Sequence, residues 1–139
     1  MCIRDSGETP LDSDPHGTFG AYVDELSKLG LLYIHTIEGV TQQTRDVPEG
    51  VDFGDLRRRF KGAYVANNQL TLDLCETELK DGKADLFSFG RPYLANPDLV
   101  ERLATGGPLA EAPKATWYGG DFHGYSDWPG MNGAVPVQR

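Results

Sequence analysis

The feature that most limits what this chain can fold into is the alternation of helical and strand patterns along its length. Apolar residues recur at helical spacing from Phe19 to Leu29, and the bulky run "LLYIHTI", residues 31–37, follows directly. The same pair of patterns occurs twice more, ending in "GAYVANN" and "ADLFSFG", and a last helix follows. Such alternation is typical of parallel βαβ units, whose strands end at one edge of a sheet. The sequence therefore predicts an α/β fold with three strands.

Residues at the ends of these segments support the predicted boundaries. Gly30 follows the first helix where a C-terminal glycine belongs, and Gly82 ends the third helix in the same way. Thr71 is a suitable N-cap for that third helix. For the last helix, the sequence predicts Asn96 as the N-cap, with Pro97 at the first position and Gly106 beyond the end.

Chain length limits how much structure this sequence can form by itself. A chain of 139 residues makes one domain, or part of one, with a modest core. A three-stranded sheet of buried-type strands leaves both flanks uncovered, and such flanks favour aggregation. We expect the chain to be a piece of a larger fold and, in isolation, marginally stable, oligomeric or aggregated.

Composition excludes several classes of function. The formal net charge of -8 argues against a general nucleic-acid binder, because phosphate backbones are held by clustered Lys and Arg. No apolar run is long enough to cross a membrane, and "MCIRDSG" is not a targeting signal. The two cysteines have no metal-type spacing and are too few for a disulfide framework. We expect a cytoplasmic protein without a metal site.

The strand ends carry residues suited to an anion. Gly90 allows a ligand close to the backbone because it has no Cβ, and the Arg91 guanidinium matches phosphate oxygens bidentately. Asn67 and Asn68 end the preceding strand and add amide donors near the Thr71 helix, whose N-terminus favours anions. The alternative is that Arg91 pairs with a nearby carboxylate and Gly90 merely turns the chain.

Other reactive or charged side chains have structural interpretations. His35 lies within a strand and is expected to be structural or to orient a loop, and His123 to lie at the surface or pack a loop. Residues 57–59, three consecutive arginines, are predicted to form the solvated face of a helix. Cys75 occupies a helix stripe position and is expected to be a small core residue.

A resemblance to a known family covers most of the chain. The segment "ADLFSFGRPYLANPDLVERLATGGPL", followed by "ATWYGGDFHGYSDWP", closely resembles the C-terminal part of the Old Yellow Enzyme family. These are FMN-dependent NADPH ene-reductases, which include N-ethylmaleimide reductases and oxophytodienoate reductases. The similarity extends upstream through "DSDPHGTFGAYVDELSKLGLLYIHTIEG" and "GAYVANNQLT" and covers about Thr9 to Pro129.

The resemblance implies a fold and a division of the chain. The three strands would be the sixth to eighth of a TIM (β/α)8 barrel, whose phosphate sites often lie after the seventh and eighth strands. Residues 8–130 would form this C-terminal part of an FMN-binding barrel, and residues 131–139 a tail. Residues 1–7 have no counterpart in the family and are interpreted as an unmatched segment and a candidate artefact, so Arg4 receives no role.

The resemblance also implies which residues hold the cofactor. Backbone amides and the arginine side chain after the seventh and eighth strands would hold the FMN phosphate, and an aromatic pair would lie by the flavin ring. The matching residues here are Asn67, Asn68, Ser88, Phe89, Gly90, Arg91, Trp117 and Tyr118. Trp117 replaces the usual Phe of the pair, and Asn67 stands where many members have Gly or Ala.

The implied function belongs to a longer parent protein. By resemblance, that parent would take hydride from NADPH and reduce the activated C=C bond of an α,β-unsaturated carbonyl or nitro substrate. The family's carbonyl-gripping His pair and proton-donating Tyr lie upstream and have no counterpart here, so no catalytic residue is assigned and this chain alone is expected to be inactive. Another hypothesis is a non-catalytic partial barrel that binds phosphate ligands or a complementary chain. A different phosphate-binding TIM-barrel enzyme is disfavoured by "GRPYLANPDLVERL" and "HGYSDWP".

Overall fold

Helices and strands alternate as the sequence pattern predicts. The computed structural model describes residues 2–3, 12–39, 44–47, 49–118 and 122–135. In chain order the elements are β1 (Cys2–Ile3), α1 (Pro15–Lys28), β2 (Tyr33–Ile37), α2 (Phe53–Arg59), β3 (Ala63–Asn67), α3 (Leu72–Lys80), β4 (Leu86–Ser88), α4 (Arg91–Ala95), α5 (Leu99–Thr105) and a 3-10 turn (Lys114–Thr116). The chain divides into a first unit, Met1–Ser88, and a second unit, Phe89–Arg139.

The first unit contains a parallel sheet with the strand order β1-β2-β3-β4. Ile34 pairs in register with Tyr64, and Val65 with Leu86. The expectation of three strands is corrected to four, because Cys2–Ile3 pairs with β2. Two residues are too few to show a period, so the sequence pattern could not predict this strand. As the strands are parallel, their C-terminal ends lie at one edge of the sheet.

One face of this sheet forms the apolar core. Side chains alternate between the two faces of a strand, and every second residue of β2 and β3 is buried. These residues pack with α1 and α2 in one cluster, whose buried members are Val23, Leu26, Ile34, Leu56, Phe60, Tyr64, Ala66 and Ala84. Burying a large apolar side chain contributes about 1.5–3 kcal/mol, so this cluster is the main apolar stabilisation of the first unit.

The opposite face of the sheet is partly open. By the same alternation it carries Tyr33, His35, Val65 and Ser88. Several large apolar residues around the sheet are exposed, and 82% of the surface of Leu32 is accessible to solvent. This exposure fits the expectation of uncovered flanks, since exposed apolar surface on an open sheet favours association.

Helix boundaries in the first unit agree closely with the prediction. Thr71 is the N-cap of α3, and its hydroxyl accepts a hydrogen bond from Leu74 N. Gly30 and Gly82 have left-handed backbone angles just beyond the ends of α1 and α3. A residue without a Cβ adopts this conformation at little cost, which explains glycine there.

The predicted start of the last helix is wrong. Helix α5 begins at Leu99 with Asp98 in the N-cap position, although Gly106 ends it in the left-handed conformation as predicted. Asn96 instead follows the short helix α4. Its side-chain amide donates to Pro92 O and Ala110 O, while its Oδ1 accepts from Ala110 N. The Asn96 side chain therefore links helix α4 to the segment at Ala110 and is unavailable for capping.

The buried residues described in the second unit include two polar side chains. Asn96 is fully buried, as are Ala95 and Leu99, and Arg102 is only 7% exposed. The Arg102 guanidinium pairs with Asp98 and also donates to Pro108 O and Pro129 O. These contacts fix the segments that follow α5. Among the described residues, no helix is long and apolar enough to cross a membrane.

Candidate functional site

The predicted site residues divide between the two units. Asn67, Asn68 and Ser88 belong to the first unit, at the C-terminal ends of β3 and β4. The second unit contains the remaining five, Phe89, Gly90, Arg91, Trp117 and Tyr118. Within each group the structure brings some of these side chains into contact.

In the first unit, Asn67 and Ser88 form a hydrogen-bonded cluster with His35. Asn67 Nδ2 donates to Ser88 O at 2.7 Å and to Ser88 Oγ at 2.6 Å. His35 Nε2 lies 2.7 Å from the same hydroxyl oxygen. Three neighbouring strands thus each contribute one polar side chain, with Asn67 and Ser88 at the C-terminal edge and His35 two residues before the end of β2. The structural role expected for His35 takes a definite form, as a partner of a predicted site residue.

Among the described residues, the pairing of Ser88 with His35 lacks the third group of a hydrolytic centre. A nucleophilic serine needs its histidine oriented by a third group, usually a carboxylate. No carboxylate among the described residues contacts His35. Burial lowers the pKa of His35 below its ordinary value, which favours the neutral ring. The cluster therefore arranges hydrogen bonds at a strand end.

The Asn68 side chain is used within the protein. Asn68 is buried, and its Nδ2 donates to Glu38 O at 2.6 Å and to Thr44 O at 3.1 Å. Its backbone has φ of 98°, and Gln69 follows with φ of 47°. Two successive non-glycine residues in this region are uncommon and cost energy. The hydrogen bonds of Asn68 to the segment after β2 hold this loop in its strained shape.

The loop after β3 leaves backbone donors free. Within the described part of the chain, the N–H groups of Gln69, Leu70 and Thr71 donate no hydrogen bond. They lie directly before α3, at the end where a helix presents its positive dipole. Successive free N–H groups in a loop of left-handed residues form a concavity suited to an anion. The side-chain donors of Asn67 and Asn68 are already occupied within the protein. An anion at this loop would therefore be bound by the backbone N–H groups.

Sequence reasoning missed a buried charged network beside this loop. Arg45 pairs with Glu38 and Glu78, each at 2.6 Å, and also donates to Asn68 O. Tyr64 Oη donates to Glu38 at 2.9 Å. Burial raises the pKa of Glu38 and of Tyr64, so the tyrosine stays protonated as a donor. The available signal was the position of Glu38, a charged residue directly after a buried strand.

In the second unit, Arg91 lies over the ring of Trp117. The guanidinium carbon is 5.2 Å from the ring centroid, within the range of a cation–π contact. Trp117 is half-buried, and its indole N–H donates to Ala112 O at 2.9 Å. No carboxylate in the described part of this unit pairs with Arg91, so the predicted alternative of such a pair has no support there. The exposed guanidinium retains its donors.

The backbone at Gly90 is open. A Cβ built on Gly90 would meet no atom within 4 Å, and its φ of -91° suits any residue. Neither packing nor backbone angle in the chain therefore requires glycine. The N–H groups of Phe89, Gly90 and Arg91 have no acceptor among the described residues of this unit. Tyr118 is 79% exposed.

The remaining side chains are mostly structural. Cys75 is buried as expected, and burial raises the pKa of its thiol. His123 is exposed and lies 3.3 Å from Asp127. Of the three arginines of α2, Arg58 is exposed as predicted, but Arg57 and Arg59 are half-buried partners of carboxylates, so the solvated-face interpretation is wrong for those two. The described residues contain no cluster of metal-binding groups.

Comparison with known proteins finds reductases that are similar to this chain over most of its length. No protein-family model matches. A 12-oxophytodienoate reductase-like protein of Solanum lycopersicum is 36% identical over 124 residues, which are 88% of this chain and 33% of that protein. The 12-oxophytodienoate reductase 2 of Arabidopsis thaliana is 30% identical over 86% of this chain and 33% of that protein. The chain thus spans about a third of the length of these relatives.

Solved structures of related reductases are similar to this chain as well. Morphinone reductase superimposes with a TM-score of 0.79 at 35% identity, covering 88% of this chain and 33% of that one. One such structure contains tetrahydroNAD. The old yellow enzyme homologue of Zymomonas mobilis superimposes with a TM-score of 0.77 at 32% identity, covering 86% of this chain and 34% of that one.

These similarities define the class of fold and the relatives of the chain. The parallel sheet and its helices are part of a TIM (β/α)8 barrel, as the sequence predicted. Over most of its length the chain is similar to about a third of each old yellow enzyme and 12-oxophytodienoate reductase that it matches.

Proposed function

We propose that this chain carries the flavin-phosphate region of an FMN-dependent ene-reductase that uses NADPH to reduce activated C=C bonds. When bound, FMN supplies the hydride chemistry, and the protein positions the cofactor. The substrates of the complete enzyme would be α,β-unsaturated carbonyl or nitro compounds. In this proposal residues 8–130 belong to the barrel, residues 131–139 are a tail, residues 1–7 lie outside the match, and the protein is cytoplasmic.

The observation that carries the proposal is the set of unoccupied donors at predicted site residues. Arg91 is exposed and has no carboxylate partner in the described part of its unit, and the Gly90 backbone has open space beside it. Phosphate oxygens are acceptors that a guanidinium and free N–H groups bind well. The free N–H groups after β3 support the same chemistry in the first unit. The donors of each unit, taken separately, therefore fit a phosphate group.

The proposal is tested by restoring a complete barrel. Residues 12–135 of this chain are grafted in place of the matching third of morphinone reductase, and FMN affinity is measured by flavin fluorescence. Replacing Arg91 by Ala is expected to weaken binding by about 1.5–3 kcal/mol, the range for a hydrogen bond to a charged group. Arg58→Ala is the control, because Arg58 is an exposed arginine of α2. Equal FMN affinity in the Arg91 and Arg58 variants would reject the assignment.

The 139-residue chain by itself is expected to lack ene-reductase activity. Added FMN and NADPH cannot replace the family's proton donor and carbonyl-binding residues, which have no counterpart in this sequence. The measurement is reduction of 2-cyclohexenone against a background of free FMN. Turnover above that background would mean that this chain holds catalytic residues of its own.

A second candidate is a non-catalytic partial barrel that binds phosphate ligands or a complementary chain. The exposed apolar residues around the sheet favour it, because such surface is stabilised by a partner. Coexpression with the upstream two thirds of morphinone reductase distinguishes the two functions. Recovery of a flavin-containing, active complex supports the enzyme, and a stable complex without turnover supports the binding module.

A further inference from the structure

The hydrogen bonds of Ser88 restrict where its hydroxyl hydrogen can point. Asn67 Nδ2 has two hydrogens and two acceptors, Ser88 O and Ser88 Oγ, so Ser88 Oγ accepts one hydrogen bond from Asn67. The contact with His35 Nε2 at 2.7 Å then has two possible directions. Either the Ser88 hydroxyl donates to Nε2, or a protonated Nε2 donates to Ser88 Oγ. Only the second arrangement frees the hydroxyl hydrogen for another acceptor.

The position of this cluster in the fold means that the direction of the Ser88–His35 hydrogen bond can affect anion binding. His35, Asn67 and Ser88 lie on adjacent strands, with Asn67 in register with Ser88. Asn67 ends β3, directly before the loop with the free N–H groups of Gln69 and Leu70. A hydroxyl at this edge can add one donor for an anion only if His35 does not receive its hydrogen.

We propose that His35 is a positioning residue that sets the direction of the Ser88 hydroxyl, and that a phosphate at this edge turns the hydroxyl from His35 towards itself. This inference rests on the proposed phosphate site. In the free protein Ser88 donates to Nε2, and the ring carries its proton on Nδ1. When phosphate binds, the ring loses the Nδ1 proton to solvent and gains one on Nε2, so the net proton count is unchanged. His35 then donates to Ser88 Oγ, and Ser88 donates to a phosphate oxygen.

The experiment measures the His35 tautomer in the full chain. The three histidines, His16, His35 and His123, are labelled with ¹⁵N and assigned through His16→Gln and His123→Gln variants. Ring nitrogen shifts are recorded at pH 8 with and without inorganic phosphate, while the backbone amides of Gln69 and Leu70 report anion binding independently. The expected result is the Nδ1–H tautomer in the free chain and conversion to Nε2–H over the same phosphate range as the amide shifts.

Variants of Ser88 separate this role from simple packing. Ser88→Ala is expected to give a mixture of tautomers in the free chain and about tenfold weaker phosphate binding, because it removes a hydrogen bond to a charged ligand. Ser88→Thr keeps the hydroxyl and should keep the wild-type tautomer, which also covers the case that the alanine variant does not fold. Ser126→Ala is the control, since Ser126 is an exposed serine remote in sequence.

Each alternative result has a definite meaning. A free chain with His35 in the Nε2–H form, or a tautomer equally present in the Ser88→Ala variant, overturns the inference. If phosphate changes the chemical shifts of the Gln69 and Leu70 amides but not those of the His35 ring nitrogens, the phosphate site is supported and the role of His35 is rejected. If phosphate moves none of these signals, the proposed phosphate site in this unit fails, and the inference fails with it.

Discussion

The two units of the chain are stabilised by different interactions. In the first unit, helices α1 and α2 pack on the sheet through a cluster of apolar side chains around Ile34, Phe60 and Tyr64. In the second unit, the buried residues include Asn96 and Arg102, whose side chains bind backbone carbonyls of the segments after α5. Apolar packing is non-directional, whereas hydrogen bonds specify particular partners. The apolar cluster of the first unit therefore depends on total buried area, whereas Asn96 and Arg102 in the second unit hold particular segments.

The predicted anion donors follow the same division. In the first unit, the loop after β3 is held by the buried Asn68 side chain, and its backbone is left as donor. In the second unit, an exposed side chain, Arg91, is oriented by Trp117. Changes to the core should therefore alter the whole first unit, and changes to a polar tie should alter one segment of the second.

The largest expected effect is from Phe60→Ala. Phe60 is 2% exposed in the apolar cluster, and truncation of a buried Phe costs about 3–5 kcal/mol through lost burial and a remaining cavity. Urea unfolding gives the stability, and hydrogen exchange followed by mass spectrometry should show faster exchange in α1, β2, α2 and β3 together. The control is Leu32→Ala, since Leu32 is largely exposed. Faster exchange confined to residues next to Phe60 would contradict a cooperative core.

A smaller and more local effect is expected from Asn96→Ala. The change leaves the half-buried Ala110 N and O without their side-chain partner, and an unsatisfied buried group costs about 1–3 kcal/mol, so the loss should lie at or below that range. Hydrogen exchange should accelerate at residues 107–110, with the first unit unchanged. Val100→Ala, on the exposed side of α5, is the matched control. Equal acceleration in β2 and β3 would mean that Asn96 stabilises both units, which contradicts a local role in the second.

Acid should change the stability contributions of Glu38 and Asp98 with opposite sign. Burial raises the folded pKa of Glu38 above its ordinary value of 4.5, so the contribution of Glu38 to stability increases as pH falls from that raised pKa to about 4.5. The Arg102 hydrogen bond lowers the folded pKa of Asp98 below 3.8, so that contribution is present above pH 3.8 and is lost as pH falls towards the lowered pKa. Urea unfolding between pH 3 and 7 of wild type, Glu38→Gln and Asp98→Asn tests both signs. Wild type should gain relative to Glu38→Gln on acidification and lose relative to Asp98→Asn; the reverse order would refute the assignment.

Local patterns predicted much of the fold and less of the site. The apolar period of α1 and the caps at Thr71 and Gly106 are local signals, and the structure confirms them. The role of Asn96 depends on Ala110, which is 14 residues away, so a local capping rule assigned it wrongly. Arg45 pairs with Glu78, 33 residues away, which no periodicity indicates. Side-chain partners that are distant in sequence are set by the tertiary fold, and these determine which donors at the strand ends remain free.

The smallest effect on stability is expected from Gly90→Ala, which separates ligand binding from folding. The φ of -91° is allowed for alanine, and a Cβ at this position meets no atom within 4 Å. Replacing glycine at such a compatible position stabilises a protein by about 0.4–1 kcal/mol through the unfolded chain. If Gly90 is present so that a phosphate can approach the backbone, the added methyl group should weaken FMN binding in the grafted barrel while urea unfolding shows no loss. Gly133→Ala is a useful contrast, because Gly133 also has open space around it but has φ of 77°, so alanine there should destabilise without an effect on the flavin. Unchanged FMN affinity in the Gly90 variant would leave the open backbone at Gly90 without a role in binding, and Arg91 would then have to account for the affinity of the second unit by its side chain.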